Sequence, residues 1–386
     1  MRRSPEYIHQ RAKWTEFTWD ADALALPLSV VRHKQGRLLG TMESMGFDLR
    51  REASLCVQIS DVVKSSAIEG ERLNPEEVRS SIARRLGLDV GGLAPSALPR
   101  ASRHVEGVVE MMLDATGSCA KALTKGRLCA WHAALFPTGR SGMNRITVGT
   151  WRTKKSGAMQ VVSGRVGREK VHFQAPDASR LNAEMSALLK WFNASRVTGS
   201  SRLDPVLKAA IAHFWFVTIH PFEDGNGRIA RAIADMALAR ADGTSERFYS
   251  MSTQIEAERK DYYSMLERTQ RGDVDITPWL AWFLGCLERS IISADVALAA
   301  VLNKSRVWQR INLRGVNERQ RLVINRMLGD FEGFLSSSKY AKLAKCSTDT
   351  ALRDMRELVD RRILVANRGG GRSTSYRLAQ ADAIKG

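Results

Sequence analysis

The chain has 386 residues, 44% hydrophobic and 26% charged, an ordinary globular balance with room for two or three domains. No apolar run approaches the ~18–20 residues of a membrane span. The longest covers residues 279–287, and no apolar core follows residues 1–6, so neither a span nor a secretory signal is expected. Five scattered cysteines without C-x-x-C spacing argue against a disulfide framework or a zinc site and fit a reducing cytoplasm. The net charge is +18, and from Val301 onward 18 Lys/Arg stand against 8 Asp/Glu. Such a localised basic end is a footprint for nucleic acid, or a solubility device.

In chain order, the first part, to about residue 93, reads helical. Trp14 and Trp19 are early aromatic anchors, and residues 24–49 and 50–66 carry apolar positions at helical spacing, among them Leu55, Ile59, Val62 and Val63. The run Ser65-Ser66-Ala67-Ile68-Glu69-Gly70 ends that second helix, with Gly70 as terminator. Residues 91–95 and Pro99 mark a loop and a boundary. Helices are then expected at 103–115, 125–136, 178–192, 206–219, 229–240, 254–270 and 277–292. Between them, residues 159–173 are β-branched and alternating around a glycine-containing turn, which reads as a hairpin. An exposed strand edge of that kind can pair with an extended peptide segment.

The run His220-Pro221-Phe222-Glu223-Asp224-Gly225-Asn226-Gly227-Arg228-Ile229-Ala230-Arg231 joins two of these helices. The first turn of a helix has unpaired N–H groups and the positive end of the macrodipole, and so attracts phosphate. Gly225 and Gly227 flank Asn226 and let phosphate oxygens approach that backbone closely. Arg228 and Arg231, three apart, project from one face, and guanidiniums bind phosphate in a fork. Asp224 suits a Mg²⁺ ion that bridges phosphates. His220, with an ordinary pKa of about 6.5, suits a general base.

Residues 293–316 read as a helical linker containing Trp308. Beyond them come two short helices at 340–345 and 348–361, a strand at 363–365, a glycine turn at 369–371 and a strand at 375–378. This order resembles a winged helix-turn-helix. The second helix would present Thr350, Arg353, Asp354 and Arg356, and the wing Arg368 and Arg372, to duplex DNA. The alternative is a wing used for protein docking or for a homodimer.

Residues 220–231 match in full the H-x-F-x-[D/E]-G-N-G-R-x-x-R signature of Fic proteins, and the chain resembles that family over roughly residues 1–290. The resemblance implies a mainly α fold, a helical core with one β-hairpin flap. It implies transfer of AMP from ATP, with Mg²⁺, onto a Ser, Thr or Tyr hydroxyl of a target protein, with self-modification and removal of AMP as further activities. His220 would be the catalytic base, and Asp224, Gly225, Asn226, Gly227, Arg228 and Arg231 would hold the phosphates. Ser163, Gly164 and Val166 would be flap contacts, preceded by the segment Gly149-Thr150-Trp151-Arg152. Tyr262 and Tyr263 would border adenine, with Gln270 where the family often has Asn. Ser65, Glu69 and Gly70 match the family's inhibitory motif [S/T]-x-x-x-E-[G/N], so Glu69 would pair with Arg231 and keep ATP out of line. The expected domains are 1–100 (inhibitory extension), 101–292 (catalytic core), 293–316 (linker) and 317–386 (winged helix). Two alternatives share these residues. One is a relative that transfers UMP, phosphate or phosphocholine. The other is a transcription regulator whose core is a ligand sensor or scaffold.

Overall fold

The computed structural model describes residues 6–89, 94–164, 168, 170–194, 203–312, 315–328, 331, 333–367 and 374–379, with backbone alone at 47–48 and 299–312. The expected mainly α architecture is observed: fourteen α-helices and three two-stranded antiparallel pairs among the described residues. The chain forms two compact units, Met1–Asp295 and Val296–Gly386. No helix among the described residues is long and apolar enough to cross a membrane.

In the first unit, α1 (Ala21–Glu43) starts where the Asp20 carboxylate accepts the Ala23 N–H, and α2 (Phe47–Ile68) ends at Glu69 and Gly70, the glycine at φ +87°. Helix α3 (Pro75–Leu86) carries a full set of helix signals. Asn74 caps it, proline opens it, Glu76 and Glu77 lie in its first turn, Arg84 and Arg85 in its last, and left-handed Gly87 closes it. Ser102 and Thr124 cap α4 (Arg103–Gly117) and α5 (Lys125–Leu135). A two-residue pair, β1 (Arg140–Ser141) and β2 (Asn144–Arg145), follows; nothing in the sequence suggested it. The expected hairpin is β3 (Gln160–Ser163) with β4 (Lys170–Gln174).

After α6 (Leu181–Asn193) come α7 (Pro205–Ile219) and α8 (Asn226–Asp242), the centre of the unit. Apart from the half-buried Lys208, helix α7 is buried on every side from Val206 to Ile219, which explains its apolar run without a polar stripe. The helix expected at 254–270 is two, α9 (Met251–Ala257) and α10 (Arg259–Gln270). They break at Glu258, which sits at ψ 28° with its carboxylate on Arg289, Nη2 to Oε2 2.6 Å. Helix α11 (Thr277–Asn312) joins the expected core helix and the linker into one, since neither glycine nor proline interrupts residues 286–312.

The second unit contains α12 (Glu318–Met327), α13 (Ser337–Ala344), α14 (Thr348–Asp360), and the pair β5 (Leu364–Ala366) and β6 (Tyr376–Leu378). Its core gathers Val323, Ile324, Leu335, Tyr340, Met355 and Leu358. Arg353 and Arg356 are exposed on α14, as expected, while the Thr350 hydroxyl lies 2.9 Å from that of Ser347 in the helix cap. Asp354 corrects the sequence reading. It is buried, takes the Arg319 guanidinium at 2.9 Å and the Tyr340 hydroxyl at 3.1 Å, and so ties α12 and α13 to α14. Its place in the series Ala351, Asp354, Met355, Leu358 is a core stripe. Arg368, Arg372 and the glycine turn lie outside the described residues.

Candidate active site

His220 closes α7 in the left-handed conformation (φ 51°), its N–H on the Phe216 carbonyl. A non-glycine residue there is uncommon and is held by its surroundings. Arg152 supplies the hold. Its Nε donates to the His220 carbonyl (2.8 Å), its backbone N–H to the Pro221 carbonyl (2.9 Å) and its Nη2 to the Pro176 carbonyl (2.6 Å). His220 Nδ1 lies 3.2 Å from the Val217 carbonyl. A carbonyl only accepts, so Nδ1 carries the proton and Nε2 is left as an acceptor. Burial, with the Arg152 charge adding to it, brings the His220 pKa down to about 4 against the opposing Val217 hydrogen bond and nearby carboxylates. The imidazole is therefore neutral at pH 7.

The loop after His220 is internally braced. Phe222 is buried and stacks on His132 at 4.0 Å. The Asn226 side chain accepts from the Phe222 N–H and donates to its carbonyl, both at 2.9 Å, so this side chain serves the loop and not a ligand. Gly225 sits at φ +78° against Phe136, where an added Cβ would lie 2.9 Å from the ring. Helix α8 begins without a side-chain cap, so its first-turn N–H groups keep their capacity for an anion. Asp224 accepts from the Ser141 hydroxyl and from the Gly225 N–H. Among the described residues no three His, Cys, Asp or Glu converge on a metal position. A lone carboxylate beside a helix N-terminus fits Mg²⁺, which keeps water and phosphate oxygens as its remaining ligands.

Both arginines of the signature are occupied by carboxylates from the turn after α2. Arg231, 2% exposed, donates from Nη2 to Glu69 Oε1 (2.8 Å) and to the Ser65 carbonyl (2.8 Å), and from Nε to the Ser65 hydroxyl (2.9 Å). Glu69 Oε1 lies over Gly227, 2.2 Å from where a Cβ would stand, so only glycine admits the carboxylate there. Arg228, 1% exposed, donates from Nη1 to Glu71 Oε2 at 2.6 Å, and lies over the Phe136 ring at 5.1 Å. Glu71 also meets His104 Nε2 at 3.1 Å. Partial burial raises the Glu71 pKa, but the His104 hydrogen bond and the Arg228 charge outweigh it and hold the carboxyl below its usual range. Arg228 Nε and Arg231 Nη1 are buried without a hydrogen-bond partner among the described residues. Donors left open in this way suit a ligand's oxygens.

A cavity of about 1300 Å³ lies beside these groups, and its walls include Glu69, His220, Asp224, Gly227, Tyr263 and Gln270. Ser163 of β3 is exposed on the same cavity and Gly164 follows it at φ 111°; Val166 lies outside the described residues. Tyr262 is buried with its hydroxyl 2.9 Å from His213 Nε2, and Gln270 Nε2 donates to the Thr218 hydroxyl at 3.2 Å. The Tyr263 hydroxyl donates to the Ile68 carbonyl at 3.3 Å, tying the cavity wall to the end of α2. The sequence reading missed Glu71, His104 and the clamping role of Arg152. The one signal for Glu71 was a second glutamate two residues beyond Glu69.

Residues 122–238 match the model of the Fic/DOC family, and residues 7–88 match a domain of unknown function, DUF4172. The chain therefore carries a Fic/DOC domain, and α1 to α3 belong to the second match. Protein adenylyltransferase Fic of Drosophila melanogaster and that of Culex quinquefasciatus are each 34% identical to it over 116 residues, 30% of this chain and 21% of theirs. The match thus spans about a fifth of the length of these relatives. Among solved structures, a Fic family protein from Desulfovibrio desulfuricans G20 aligns over 93% of this chain and 96% of its own (TM-score 0.53, 22% identity). A Fic domain containing signalling protein from Bacteroides thetaiotaomicron aligns over 70% and 98% (TM-score 0.50, 20% identity). At these identities the likeness is one of fold.

Proposed function

We propose that the protein is an adenylyltransferase that moves AMP from ATP onto a hydroxyl of a protein target and is held inactive by its own α2. The observation that carries this reading is a neutral His220, Nε2 free to accept, on the same cavity as an uncapped helix N-terminus whose arginines carry carboxylates where phosphates would bind. In the active form the α8 N-terminus and Asp224, with Mg²⁺, would hold the α- and β-phosphates, and Arg228 and Arg231 the β- and γ-phosphates. The metal supplies charge neutralisation on the phosphate oxygens. His220 Nε2 takes the proton of the acceptor hydroxyl. That oxygen bonds to the α-phosphorus as the bond to pyrophosphate breaks. Positioning and charge neutralisation carry most of the rate. The hairpin edge would align the target segment and Tyr263 and Gln270 would border the base.

We assign residues 1–100 to inhibition, 101–292 to catalysis, 293–316 to a linker and 317–386 to a winged helix. The Fic/DOC match and the likeness to protein adenylyltransferases support the transfer reading. The test is to compare the four nucleoside triphosphates, each labelled at the α- or the γ-phosphate, with the full chain and Mg²⁺. Retention of α-label from ATP is expected, and retention of γ-label would overturn the reading.

The exposed Arg353 and Arg356 on α14, in the basic C-terminal unit, support duplex DNA as a partner of that unit. Binding of the full chain to duplex DNA should weaken steeply with salt, because phosphate contacts release counterions. No binding at low salt would leave the unit a protein-docking module.

A further inference from the structure

The carboxylate assigned to the metal is held by a residue from outside the signature. Glu223 and Asp224 are neighbours in the chain and both line the cavity, but their oxygens are used differently. Glu223 Oε2 accepts the Thr147 N–H at 2.9 Å, and its Oε1 accepts the Thr147 hydroxyl at 3.0 Å and the Ser156 hydroxyl at 2.5 Å. Three donors commit that carboxylate to the fold. Asp224 takes one donor on each oxygen, the Gly225 N–H on Oδ1 and the Ser141 hydroxyl on Oδ2. A carboxylate oxygen has two lone pairs, so each Asp224 oxygen keeps one for a cation.

The two donors of Asp224 do different things. Gly225 is the next residue, and its N–H follows the loop. One donor alone leaves the carboxylate plane free to turn about that bond, and a second on the other oxygen fixes it. The second comes from 83 residues upstream. Ser141 ends β1, opposite Asn144 of β2, in a turn where Gly139 and Gly142 sit at φ +70° and +55°. The turn closes by its own bonds: the Ile146 N–H donates to the Gly139 carbonyl at 3.1 Å, and Arg140 Nη1 to the Met143 carbonyl at 3.0 Å. It does not need Asp224 to form. Leu135 and Phe136, at the end of α5 just before the turn, lie against Gly225. The packing of α5 on the head of α8 therefore brings the Ser141 hydroxyl to the carboxylate.

We infer that Ser141 is a positioning residue for the divalent metal, its hydroxyl fixing the plane of the Asp224 carboxylate. This rests on the assignment of Asp224 to Mg²⁺ within the transfer reading above. Mg²⁺ demands near-ideal octahedral geometry, so a ligand already held in plane binds it better than one that must first be ordered. A group bonded to a metal's ligand rather than to the metal is typically worth about 10- to 100-fold in metal affinity.

The test reads binding and not turnover. The full chain carrying Glu69→Gly is titrated by calorimetry with α,β-methylene-ATP, once with Mg²⁺ and once with EDTA. Mg²⁺ is expected to tighten binding. Adding Ser141→Ala should remove about tenfold or more of that tightening, with the affinity in EDTA and the melting temperature unchanged. Ser141→Thr, which keeps the hydroxyl, should restore it. Full tightening in Ser141→Ala, or a loss equal with and without Mg²⁺, would overturn the inference and leave Asp224 as the metal's ligand. If Mg²⁺ does not tighten binding, or Asp224→Ala leaves the tightening intact, the metal assignment falls and the inference with it. No binding of the analogue under either condition would overturn the transfer reading as well.

Discussion

Replacing Glu69 by glycine should raise the initial rate of α-label transfer by roughly 10- to 100-fold. The Glu69 carboxylate makes a charge-assisted bond to a 2% exposed arginine, Nη2 to Oε1 2.8 Å, and lies against Gly227 at the start of α8. A phosphate oxygen would take that place, because it seeks the same donors. A hydrogen bond to a charged group is worth about 1.5–3 kcal/mol, and removing it shifts the population open to triphosphate by about the factor stated. Glu71 divides the effect. It holds Arg228 at 2.6 Å, so Glu69→Gly alone leaves one arginine engaged. Glu71→Gln in that background should add a further increase of several fold, about the worth of a partly exposed pair. Transfer rates of the two variants, with melting temperatures to monitor folding, check both expectations. An unchanged rate for Glu69→Gly would make the Arg231 pair purely structural.

His220→Ala should lower transfer by about 10²- to 10⁴-fold, the usual contribution of a positioned base, while ATP still binds the Glu69→Gly form with nearly unchanged affinity. Among the described residues His220 makes no hydrogen bond to Arg228 or Arg231, and it meets the fold through the Val217 and Phe216 carbonyls and the Arg152 side chain. The pH profile provides an independent readout. A histidine at its ordinary pKa would lose its base form as pH falls through about 6.5. With the His220 pKa lowered to about 4, the base form persists below pH 6 and is lost only near pH 4. The acid limb of the rate should lie there. A limb near 6.5, or transfer undiminished in His220→Ala, would remove histidine from the proton's path.

The candidate site divides by the range of its contacts. Residues 220–231 stood out in the sequence because a histidine, two carboxylates, the glycines and both arginines are contiguous, and a helix start brings neighbours in the chain together in space. Several helices of the first unit were legible from apolar residues at helical spacing, and in the structure Asp20, Asn74, Ser102 and Thr124 cap the segments they precede. The Arg228–Glu71 pair spans 157 residues of chain and the Ser141–Asp224 pair 83, and no local spacing announces either. Asp354 reads as an exposed acidic residue by type, yet packing places it inside the second unit, because Arg319 and Tyr340 converge on it.

The amino-acid sequence by itself determined the helical class, the hairpin and the phosphate-seeking turn at the head of α8, all consequences of local propensity and of groups a few residues apart. The tertiary structure decided which carboxylate meets which arginine, that the Asn226 side chain closes its own loop, and that the turn after α5 brings Ser141 to Asp224. Those outcomes depend on how helices distant in sequence pack. A buried charge or hydrogen-bonding group is stable only where that packing supplies its partner.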